Sequence, residues 1–169
     1  KGFLKDLVRR EADASTRIAS SFAASFSPKS VVTISFSSTV IKALLALPID
    51  VKISVAESLP IGEGARTCRE LIEAGKEAVL FRDSMILGEV DDADLVLVGA
   101  DGICPEGVVN KVGTGPLALA ARERGRPFVV VCSTSKLIPV LDMDPLKSTV
   151  AEGGVQLREA VFEMVPLDL

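Results

Sequence analysis

A chain of 169 residues, 48% hydrophobic and 25% charged, can build one globular domain with a substantial core and is too short for a second full one. Its net charge of -4 makes the surface as a whole repel nucleic acid and anionic membranes, so any phosphate binding has to be local. Histidine is absent and the three cysteines are widely spaced, which rules out histidine-based triads, argues against a zinc site or a disulfide framework, and fits a reducing cytoplasm.

Residues 1 to 26 carry Leu4, Leu7, Val8, Ala12, Ile18 and Phe22 at helical spacing, so a helix is expected up to Ser27-Pro28. A regular beat follows. Val31 to Phe36 reads as a strand, Thr39 to Leu47 as a helix and Val51 to Ala56 as a second strand. Ala65 to Ala74 is a helix closed by Gly75, Ala78 to Phe81 a strand, Ser84 to Leu87 a short helix, and Leu95 to Val98 a continuous apolar strand. A polar loop then leads to a helix from Thr114 to Arg124, ended by Gly125, and to a strand from Phe128 to Val131. After Lys136 the residues Pro139, Asp142, Asp144-Pro145 and Gly153-Gly154 mark a long loop region before an edge strand near Ala160 to Met164. Strands apolar on both faces that alternate with helices imply a doubly wound, Rossmann-like α/β fold, with a mostly parallel sheet between helices and an N-terminal helix ahead of it. Neither a signal peptide nor a membrane span is expected, since the first residues alternate charge with Leu and no run of about 18 apolar residues occurs in the sequence.

Chemistry gathers where strands end. In open α/β sheets ligands bind beyond the carboxyl ends of the strands, where helix amino termini attract anions. The stretch from Asp94 to Gly115 places Asp101 after an apolar strand and delivers Asn110 and Lys111 ahead of a helix, a set suited to sugar hydroxyls and phosphate. Each residue also has a plainer reading, Asp101 as a turn acid and Asn110-Lys111 as a solvated loop. Glu57 to Arg66 offers Glu63, Gly64 and Arg66 to an anion, or forms a flexible turn; it fails the dinucleotide fingerprint because Thr67 stands in place of the third glycine. Ser35, Ser37 and Ser38 end the first strand and serve either phosphate or helix capping, and Asp83-Ser84 end the third strand in the same way. Cys68 and Cys132 read as core residues, whereas Cys104 shares the Asp101 loop.

Three blocks, Val98-Gly99-Ala100-Asp101-Gly102-Ile103, Glu106 to Thr114 and Leu117 to Ala121, are supported by Glu57-Ser58, Pro60, Glu63-Gly64, Asp83-Ser84, Pro127-Phe128 and Phe162 to Pro166. Together they resemble the family that joins the alpha, beta and delta subunits of translation initiation factor 2B with methylthioribose-1-phosphate isomerase and ribose-1,5-bisphosphate isomerase. The resemblance implies that Asp101 matches the isomerases' catalytic aspartate and that Asn110 and Lys111 match substrate contacts. Ser35 stands where the isomerases have a cysteine, Leu59 where many members have arginine, and Glu63 where the isomerases often have a phosphate-contacting glutamine. A hydroxyl replaces a thiol poorly in proton transfer, the thiol having a pKa of about 8.5.

The expected function is therefore a non-catalytic, self-associating initiation factor 2B-like domain that binds a sugar phosphate or nucleotide. The alternative is an aldose-ketose isomerase with Asp101 as acid/base and Ser35 or Cys104 as partner. A nicotinamide-binding domain is a third and weaker option. No cofactor and no metal are expected, and the partners are a phosphorylated small molecule and a second copy docked through the sheet domain and C-terminal tail. Residues 1-30 are expected to be what remains of a larger helical domain, in a reduced member or a fragment, and 31-169 the α/β domain.

Overall fold

The computed structural model describes residues 2–139, 147–152 and 155–169. The expected loop markers Asp142, Asp144-Pro145 and Gly153-Gly154 lie outside the described residues. Five parallel strands form the central sheet: β1 (Ser30–Ile34), β2 (Lys52–Ala56), β3 (Glu77–Phe81), β4 (Leu95–Val98) and β7 (Phe128–Val130), in the order β3-β2-β1-β4-β7. Helices α1 (Gly2–Ser25), α2 (Ser38–Leu45) and α3 (Gly64–Glu73) cover one face, and α4 (Ile86–Glu89) and α5 (Thr114–Glu123) the other.

Alternate strand residues feed two cores. Phe22, Val31, Leu44, Val55, Leu71 and Leu97 fill the first; Val32, Ile34, Ile86, Val96, Val98 and Leu117 fill the second. Burying each of these large side chains contributes about 1.5–3 kcal/mol relative to leaving it in water. Phe22 joins α1 to the first core, so the N-terminal helix packs as part of the sheet domain. Gly75 and Gly125 end α3 and α5 with φ +86 and +63, the left-handed geometry that glycine adopts without a steric penalty.

The stretch expected as a loop before α5 is instead a hairpin, β5 (Gly102–Cys104) and β6 (Gly107–Lys111). Its outer partner is β10 (Phe162–Val165), antiparallel to β6, which makes a second sheet in the order β10-β6-β5. Gly107 permits this approach, since a Cβ there would stand 2.3 Å from the Val165 carbonyl oxygen. The region expected as loop after Lys136 also contains an antiparallel pair, β8 (Lys147–Glu152) with β9 (Val155–Ala160). Several boundaries move by one or two residues: β1 stops at Ile34, where Ser35 turns to φ +64, α2 ends at Leu45, and α4 starts two residues past the expected Ser84, with Asp83 accepting from the Ser58 and Leu59 amides of the loop after β2.

Candidate functional site

Sheet order reverses between β1 and β4, and the gap beyond their carboxyl ends is where ligands sit in this architecture. A cleft of about 300 Å³ occupies that position. Ser35, Ser37 and Ser38 line it from the β1 end and α2, Gly99, Ala100 and Asp101 from the β4 end, and Asn110 from β6. The wall is narrow because Gly99 has no side chain: a Cβ would lie 2.9 Å from Ser37 Oγ. A larger groove of about 760 Å³ opens at the amino-terminal ends of the strands, yet it holds none of the candidate residues.

The first wall is built by a network across three strand ends. Ser35 N–H donates to Ser58 Oγ at 2.7 Å, and Ser58 N–H and Leu59 N–H donate to the two Asp83 oxygens at 2.7 and 2.8 Å. Ser35 and Ser58 both hold positive φ, 64 and 68, a conformation that costs a non-glycine residue about 1–3 kcal/mol and persists only where surroundings impose it. Thr67, in place of the third glycine, donates from Oγ1 to Ser35 O at 2.7 Å and so helps to fix that turn. Asp83 therefore organises the wall from behind, and Ser84 is exposed outside the cleft.

On the opposite wall the Asp101 amide donates to Val109 O at 2.8 Å, which ties the acid to the hairpin. Asn110 is 6% exposed and donates from Nδ2 to Thr114 Oγ1 at 3.0 Å, leaving Oδ1 as an acceptor. Lys111 diverges from the cleft. It is 1% exposed, and its Nζ is bound to Glu63 Oε2 at 2.8 Å. Gly64 is a packing residue, since a Cβ there would sit 1.8 Å from Ala56 O. Arg66 lies over the Phe36 ring at 3.7 Å and pairs with Glu70, so it borders the cleft through Phe36. The amino terminus of α5 is closed to ligands: Glu163 Oε1 accepts from Gly113 N–H at 2.7 Å and Gly115 N–H at 2.9 Å.

Among the lining residues absent from the expected set, four bring polar or ionisable side chains from segments given no site role. Cys132, Ser133 and Lys136 follow β7, and Glu11 comes from α1, accepting from Ser133 Oγ at 2.9 Å. Cys132 is thus a cleft residue and not a core one, whereas Cys104 is buried in the hairpin and donates to Gly107 O at 3.6 Å. The strand-end rule that selected Asp101 extends to Cys132-Ser133, but no sequence signal points to Glu11.

Electrostatics set the chemistry. Asp101 stands at the rim, where partial desolvation raises its pKa; Lys136 opposes that shift, Glu63 adds to it and Lys111 opposes it. An acid with a raised folded pKa adds stability below its unfolded value, about 3.9, and loses that contribution as pH rises through the folded value. Asp101→Asn is therefore expected to melt higher than the wild type near neutral pH, with the gap closing toward pH 3; a gap that widens on acidification would refute the assignment. Burial raises the Cys132 pKa, with Lys136 opposing, so this thiol stays protonated at neutral pH. Among the described residues no cluster of acids and cysteines could hold a metal, and no helix is long and apolar enough to cross a membrane.

The model of the Initiation factor 2 subunit family matches residues 4–159. A ribose 1,5-bisphosphate isomerase of Archaeoglobus fulgidus is 34% identical over 131 residues, 70% of this chain and 42% of that protein. A translation initiation factor eIF-2B structure from Pyrococcus horikoshii superposes with TM-score 0.84 at 32% identity, covering 95% of this chain and 62% of the other. At 20% identity and TM-score 0.77, a chain of the tetrameric eIF2B-beta2-delta2 complex from C. thermophilum shares the fold over 98% of this chain and 56% of its own. The chain spans about half or less of the length of the curated relatives it matches.

Proposed function

We propose that this chain, which belongs to the Initiation factor 2 subunit family, is a non-catalytic initiation factor 2B-like domain that self-associates in the cytoplasm and binds a phosphorylated sugar or nucleotide. The observation that carries the reading is the cleft at the switch point, where Asp101 and Asn110 face α2 and Lys136. Free amides in the first turn of α2 and the Lys136 amine suit a phosphate, and the Asp101 carboxylate and Asn110 Oδ1 suit sugar hydroxyls. A serine at position 35, held by its own backbone amide and carbonyl, supports binding without turnover.

Calorimetric titration with ribose 5-phosphate and AMP, together with light scattering, tests the proposal. Saturable binding by a dimer is expected. A monomer that gives no heat with either compound sinks it.

A second reading, aldose-ketose isomerase, is favoured by the named activity of the Archaeoglobus relative and by a thiol in the cleft beside Asp101, that of Cys132. Ketose formation from ribose 1,5-bisphosphate or methylthioribose 1-phosphate, abolished by Asp101→Asn, would replace the non-catalytic reading.

A further inference from the structure

β7 is the last strand in the order β3-β2-β1-β4-β7, and Phe128, Val129 and Val130 are each only partly buried. Val96 N–H donates to Pro127 O and Val131 N–H to Val98 O, both at 2.9 Å, and this alternation sets the phase of the parallel ladder. Val129 therefore turns its amide and carbonyl toward β4, and Phe128 and Val130 turn theirs outward. Among the described residues nothing bonds to those outward groups. Beside them runs a groove of about 420 Å³, with Ile18 and Phe22 of α1 and Phe26 just beyond it on one side and Val129 and Val131 on the other. Arg17 lies exposed on its rim and makes no ion pair among the described residues.

We propose that the β7 edge is a docking site for an extended peptide segment of a partner protein, which adds a strand beside β7 and carries an acidic residue to Arg17. A row of bare amides and carbonyls is completed by another extended backbone; a helix has satisfied those groups within itself, and a lipid surface offers no matching row. An added strand sends alternate side chains to the α1 side of the sheet, where the groove has volume for them and an apolar floor. Apolar residues at alternate positions then give the affinity, and Arg17 selects Asp or Glu beside them. A second copy joined edge to edge brings another Arg17 to the joint in place of an acid.

A bacteriophage library of random heptapeptides, selected on the full chain and counter-selected on Val130→Pro, tests this. Proline at this position removes the outward amide and no bond to β4, and a thermal melt establishes that the variant is folded. Enriched peptides are expected to carry apolar residues at alternate positions and Asp or Glu near one end; no enrichment, or enrichment without that pattern, overturns the inference. In calorimetry a selected peptide is expected to lose about tenfold in affinity for Arg17→Glu relative to the wild type. N-methylation of the peptide at alternate residues needs no protein variant: in one phase the methyl groups face β7 and abolish binding, and in the other they face away and leave it intact. Equal effects in the two phases overturn the inference, as does an unchanged affinity for Arg17→Glu. Light scattering that shows Val130→Pro turning a dimer into a monomer also overturns it, since the edge then belongs to a second copy.

Discussion

Gly64→Ala is expected to destabilise the protein by about 3–5 kcal/mol, enough to leave it partly unfolded at 25 °C or insoluble on expression. A Cβ at this position would stand 1.8 Å from the Ala56 carbonyl oxygen and 2.8 Å from its carbon, and both obstacles are backbone of a central strand. No rotamer change relieves them, so α3 has to withdraw from the end of β2. Withdrawal would also break the Gly64 N–H bond to Glu57 O and shift Glu63 off Lys111. Gly62→Ala, two residues earlier, is the control: nothing lies within 4 Å of its Cβ, so only its φ of +80 opposes the substitution, at a cost of about 1 kcal/mol. Urea unfolding of the two variants measures the contrast. Equal midpoints would mean that the tight approach of α3 to β2 does not exist in solution.

Glu163→Ala should cost about 2–3 kcal/mol. One carboxylate oxygen accepts from two amides at the start of α5, and charge-assisted bonds of this kind contribute more than neutral ones. The substitution leaves the Gly113 and Gly115 amides without acceptors and removes a negative charge from the positive end of a helix dipole. Glu163→Gln keeps an oxygen in place and should lose about half as much, so the difference between the two variants isolates the charge. Chemical denaturation at low and high salt reads it. An alanine variant as stable as the wild type would show that solvent caps this helix equally well.

The parallel sheet is legible in the sequence because β1 and β4 are apolar on both faces, and burial on both faces is the signature of this architecture. Helix ends were legible where glycine adopts a conformation that other residues avoid, as at Gly75 and Gly125. The β5-β6 hairpin was not. Its strands are three and five residues long, and the pairing that stabilises β6 on its other side comes from β10, about fifty residues later. The candidate site divides along the same line. Ser35, Ser37, Ser38, Asp101 and Asn110 converge because they follow strand ends or pair within a neighbouring hairpin. Glu63, Gly64, Asp83 and Lys111 have the residue types of a phosphate site, but they spend those groups on each other and on the backbone. Which polar group is left over for a ligand depends on pairing across the fold, and single-residue chemistry does not encode that.

The strand that carries Asn110 into the cleft is held on one side by β10, whose Glu163 lies opposite Asn110 in register and also caps α5. During synthesis the five-stranded sheet has all its members once Val130 has emerged, whereas this clamp must wait for Val165. A nascent chain therefore acquires its scaffold before its cleft. Ribosome-bound intermediates halted between these two points are expected to resist proteolysis across the sheet while Asn110 and the start of α5 stay accessible.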